Sequence, residues 1–151
     1  MKKTYVLTVS QNFPKTHKRA GESTGFVENI TKLFSAENTK IHTIRSNYEL
    51  WDKRAKQINE GMAVLSIRYW SGKPYNSKQV EIAVLEKIGI QRIEFDCPFC
   101  DYVIDGHSLN FKESVARNDG LSVSDFEEWF KKYDLSKPMA VIHFTEFRYP
   151  F

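Results

Sequence analysis

Alternation opens the chain. In YVLTVS, Tyr5, Leu7 and Val9 fall on one side of an extended backbone, which predicts a first strand. A polar stretch from Gln11 to Gly25 follows and is long for a connection. The period then changes: Phe26, Val27, Ile30, Leu33 and Phe34 recur at helical spacing and predict a helix to about Ser35. Ser46 with Glu49 three positions later is a capping-box pattern. A second helix is therefore expected just after Arg45, with Trp51, Ala55 and Ile58 as its buried stripe and Gly61 as its stop. Lys40 to Arg45 is left as a polar connection between two helices.

Next, MAVLSIRYW alternates, with Ala63, Leu65, Ile67 and Tyr69 on one face and Val64, Ser66, Arg68 and Trp70 on the other. The loop SGKPYNSK leads into QVEIAVLEK, a second strand of this run, and IQRIEFD supplies a third. Past Asn110 the pattern predicts a short helix. A stronger helix runs from Val123 to Tyr133, with Phe126, Trp129, Phe130 and Tyr133 at i, i+3, i+4 and i+7 and Ser122 or Ser124 as its cap. MAVIHFTEF closes the chain as a strand. Strands in a run with helices before and after predict an α+β fold: a small open β-barrel or curved sheet, mostly antiparallel, with flanking helices.

Composition narrows the class. A chain of 151 residues fits one domain, residues 1–151, and 41% hydrophobic with 14% aromatic residues exclude a disordered chain. No run reaches the length of a membrane span, so no membrane partner is expected, and the start MKKTYVLTVSQNF lacks a signal peptide's apolar block. Two cysteines make no disulfide framework, and a reducing cytoplasm is the expected compartment. A net charge of +3 is compatible with a nucleic-acid or nucleotide partner without demanding one. The positive clusters near the start, KKTY and FPKTHKRAGES, read as solvated surface.

Candidate chemistry concentrates in NTKIHTIRSNYELW. Lys40, Thr43 and Arg45 there resemble the GxKxxTxR signature of the ASCH domain family, a branch of the PUA-like superfamily. Two later segments carry the same resemblance in the same order: MAVLSIRYWSGKPY, similar to the family's barrel strand and loop, and ARNDGLSVSDFEEWF, similar to its late acidic segment before a helix. Asn38 stands where the family has glycine, Ile41 where threonine is common, and Asp119 where it has a glutamate one methylene longer. The resemblance implies a single PUA-like domain with a cleft beside the barrel, lined by the motif, and no cofactor. It implies RNA, a nucleotide or a modified nucleoside as the ligand. The alternative it carries is an amidohydrolase that deacylates N4-acetylcytidine-type nucleosides, with a ribonuclease as a third. In the hydrolase, Thr43 would be the nucleophile, Lys40 the base and Asp119 the acidic partner. A threonine hydroxyl needs such a base, and a lysine serves only when burial or a neighbouring cation makes it neutral.

Arg68, Trp70, Tyr75, Ser77 and Lys78 form a second constellation. An aromatic flanked by cations suits stacking on a base and pairing with phosphate, and equally an aromatic that seals a barrel end. Cys97 and Cys100 in CPFC have the spacing of half a zinc site, with His107 as a third ligand and no fourth, so free thiols and no metal are expected. His17 stands apart, His143 reads as a packed strand histidine, and His42 is expected to face away from the lysine side.

Overall fold

The computed structural model describes residues 2–32, 40–96, 101–109 and 112–149. Four helices and eight strands occur among them, in two mostly antiparallel sheets, so the fold is α+β. The first sheet holds β1 (Lys3–Thr8), β3 (Ala63–Trp70) and β4 (Gln79–Leu85) in the order β1-β3-β4. β1 runs parallel to β3, with Leu7 opposite Ile67, and β3 pairs antiparallel with β4 through a register shift at Ile67/Arg68. The predicted alternation holds here. Leu7, Leu65 and Ile67 are buried on the inner face, whereas Val6 and Val84 are exposed.

The second sheet holds β2 (His42–Ser46), β5 (Gly89–Asp96), β6 (Asp101–Ile104), β7 (His107–Leu109) and β8 (Met139–His143) in the order β2-β8-β5-β6-β7. All five residues of β8 are buried: the strand is interior to its sheet, and α2 packs against it. Among the described residues, no ladder joins the two sheets into a closed barrel.

Helix α2 (Tyr48–Asn59) ties the sheets together. It packs on β3 of one and on β5 and β8 of the other through Trp51, Ala55 and Ile58. Asn59 fixes its end, donating to the Ile88 carbonyl at 2.9 Å and accepting from the Ile88 amide at 3.0 Å. Helix α4 (Val123–Phe130) is capped by Ser122, which accepts from the Asp125 amide, as one of its two predicted caps. Its Phe130 stacks with Phe95, and Phe126 packs at a tilt against Phe95 and Tyr102. Helices α1 (Phe26–Thr31) and α3 (Lys112–Asn118) are short. None of these helices is long and apolar enough to cross a membrane.

Three expectations are corrected. In place of the expected inter-helix connection, residues 42–46 form strand β2, paired with β8 from His42↔His143 to Ser46↔Met139. Asn47 caps α2 in place of Ser46, in a left-handed conformation (φ 66) with its side chain accepting from the Leu50 amide. Helix α4 stops at Phe130, so Tyr133 lies past its end. Residues 33–39, which include the tail of the α1 pattern from Leu33 to Ser35 and the motif's Asn38, and the CPFC pair lie outside the described residues.

Candidate functional site

Lys40 enters the fold just before β2 and bridges to Asp119, while the Ile41 amide donates to the Asn118 carbonyl at 2.8 Å. The segment before the strand is thereby sewn to the end of α3. That end is a Schellman turn: the Gly120 amide donates to the Arg117 carbonyl and the Leu121 amide to the Ala116 carbonyl. Gly120 has φ +85, and a Cβ there would stand 3.2 Å from both Lys40 Cβ and Phe26 Cε1. Gly120→Ala should therefore cost about 1–2 kcal/mol, from left-handed backbone strain and from crowding of the lysine. A urea titration reads this loss directly.

The turn presents Asp119 to a lysine that is only 1% exposed. Lys40 Nζ donates to the Asp119 carbonyl at 2.9 Å and to its Oδ1 at 3.2 Å, and lies 4.0 Å over the Phe26 ring. Burial pushes the Lys40 pKa below the ordinary lysine value; Asp119 opposes this and Arg45 adds to it. A buried amine near a second cation is how a lysine is brought toward neutrality.

Thr43 and Arg45 follow on β2. Thr43 is buried, and its Oγ1 accepts from Arg45 Nε at 3.4 Å. Arg45 Nη2 donates to the Thr8 carbonyl at 2.6 Å and so spans from the second sheet to the end of β1. Burial lowers its pKa too. Between these elements lies a cavity of about 100 Å³. Lys40, Thr43, Arg45, Asp119 and Ser10 give it a polar side, and Phe26, Trp129, Phe130 and Tyr133 an aromatic one. The four motif positions, from two distant parts of the chain, thus share one enclosure.

The second constellation lies elsewhere. Arg68, Trp70, Tyr75, Ser77 and Lys78 belong to the end of β3 and the loop after it, and none lines this cavity. Arg68 is held by Ser66 Oγ at 2.8 Å and Gln79 Oε1 at 3.1 Å. Ser77 accepts from the Gly72 amide and donates to the Lys73 carbonyl, shaping the turn. Tyr75 is 86% exposed, with its ring 5.1 Å from that of Trp70. Gln11 Nε2 donates to the Trp70 carbonyl at 2.7 Å, tying the end of β3 to the segment after β1.

His42 differs from its expected orientation. Its Nδ1 is 3.4 Å from Asp119 Oδ1, the oxygen that also meets Lys40. The signal was present in the spacing, since residues two apart on an extended chain share a side. His143 is a packed strand histidine, with Nε2 at 2.9 Å from Gln91 Oε1. His17 is satisfied by the Asp125 carbonyl and the Arg19 amide. Among the described residues no three His, Cys, Asp or Glu side chains gather as metal ligands. Compared with known proteins, the chain matches no family model, no curated protein and no solved structure.

Proposed function

We propose that this chain is a PUA-like domain of the ASCH type that binds the base of an RNA, nucleotide or modified nucleoside in the cavity around Lys40, Thr43, Arg45 and Asp119. The observation that carries this reading is their convergence: residues 79 positions apart meet at 2.9–3.2 Å beside a wall of aromatic rings. The unpaired gap between β1 and β2, spanned by Arg45, corresponds in this reading to the opening of a PUA-like barrel. About 100 Å³ accommodates one small ring or acyl group rather than a whole nucleoside, so the sugar stays outside. Aromatic walls suit a flat heterocycle, and the lysine, arginine and threonine supply donors to its oxygens.

Calorimetric titration with cytidine, N4-acetylcytidine and a short single-stranded RNA tests the reading. Saturable binding to at least one is expected, with Trp129→Ala weakening it about tenfold or more, because stacking on a base contributes roughly 1–3 kcal/mol. Absence of binding to all three would sink it.

A second reading, amide hydrolysis of an N4-acylated cytidine, is favoured by one observation. Lys40 is shifted toward its neutral form in the cavity that Thr43 lines, as a base and its nucleophile require. Its signature is acetate release by the wild-type protein, lost in Thr43→Ala and Lys40→Met while nucleoside binding survives. A wild-type rate at background leaves the chain a binder.

A further inference from the structure

Behind the cavity a buried hydrogen-bond chain reaches the same carboxylate. Asn118 Nδ2 donates to the Tyr149 hydroxyl at 3.2 Å, and that oxygen stands 2.7 Å from His42 Nε2. Among the described residues the hydroxyl's hydrogen-bond partners are Asn118, which donates, and His42, so the buried O–H is satisfied only when His42 Nε2 accepts it. The imidazole proton then sits on Nδ1. Among the described residues Nδ1 has no hydrogen-bond partner, and Asp119 Oδ1 lies 3.4 Å from it. His42 is 0%, Tyr149 2% and Asp119 4% exposed, so water does not compete for these groups. The other titratable groups near the imidazole are Lys40, through Asp119, and His143 of β8, whose ring is 5.5 Å away.

We propose that His42 is a positioning residue for the Lys40–Asp119 pair: with its proton fixed on Nδ1 by Tyr149, it steadies the Asp119 carboxylate when Lys40 has given up its proton. While Lys40 is charged, Oδ1 has an ammonium 3.2 Å away. Once the lysine is neutral, the carboxylate is still buried, and the imidazole N–H becomes the strongest donor that the described residues bring to it. The burial that lowers the lysine's pKa therefore works together with a group that makes the resulting anion tolerable.

The inference rests on reading this cavity as the functional site, but its test needs no ligand. Nitrogen NMR of the full chain reads the His42 tautomer, and the Lys40 side-chain resonances read its titration. The wild-type protein should show Nδ1–H. In His42→Leu the Lys40 titration should move upward, cutting the neutral fraction at pH 8 about tenfold, the effect of one charge-assisted hydrogen bond. His42→Asn, which keeps an N–H near the Nδ1 position, should restore it. Tyr149→Phe removes only the hydroxyl that fixes the tautomer and should shift Lys40 in the same direction by less, which keeps the test open if His42→Leu does not fold. An Nε2–H tautomer in the wild type, or a Lys40 titration unmoved in Tyr149→Phe, overturns the proposal. A wild-type protein that binds no nucleoside overturns the functional reading alone, because neither NMR measurement uses a ligand.

Discussion

Asp119→Ala should lower the unfolding free energy by about 3–5 kcal/mol at pH 7, which is the range for removing one partner of a buried ion pair. Lys40 Nζ is then left in a site 1% exposed without its carboxylate. The lysine can escape by losing its proton, so the deficit should shrink between pH 7 and pH 9.5. That pH dependence separates a lost charge partner from a generic packing defect. Asp119→Asn keeps the shape and one acceptor oxygen and should cost less. Denaturant unfolding at the two pH values checks both; a loss under 1 kcal/mol, flat with pH, would mean that the pair is not held as described.

Acidification should be nearly as costly. Burial pushes His143 from the ordinary 6.5 down to about 2, with His42 and Arg148 adding to the effect, and pushes His42 in the same direction. The folded protein therefore refuses protons that the unfolded chain accepts. Stability is complete above pH 6.5 and is lost as pH falls toward 2. At pH 5 His143 alone accounts for about 2 kcal/mol, and His42 adds to this. The interval from pH 7 to 5 lies above the ordinary carboxylate range, which isolates the histidines. Denaturation midpoints should fall steadily across it, and His143→Gln should flatten the decline. A midpoint constant from pH 7 to 5 would contradict burial of both rings as neutral groups.

Much of the fold was legible locally. β1, β3 and the helical stripe of α2 follow from period alone, because a half-buried strand or helix writes its buried face into its own sequence. Boundaries slipped where two neighbouring residues could both cap: Ser46 fits the capping box, but Asn47 takes the left-handed backbone angle and the cap. β6 and β7 were not foreseen, being four and three residues long and defined by their pairing with β5 and with each other. The motif resemblance singled out Lys40, Thr43, Arg45 and Asp119, and these meet at one cavity. Arg68, Trp70, Tyr75, Ser77 and Lys78 do not line it.

What the sequence determined by itself is the set of amphipathic elements and a cluster of polar residues around position 40. What only the tertiary structure decided is that this cluster is a strand facing inward. Nothing local tells a buried KIHTIR from a solvated one, since its polar side chains read as surface until their partners are known. Those partners are supplied by Asp119 from the turn after α3, by Tyr149 from the chain's last described residues and by the Thr8 carbonyl from β1. Burying a charge or an imidazole is tolerable only where such groups arrive from elsewhere in the chain to satisfy it. That condition is set by three-dimensional packing, and no stretch of sequence around Lys40 contains it.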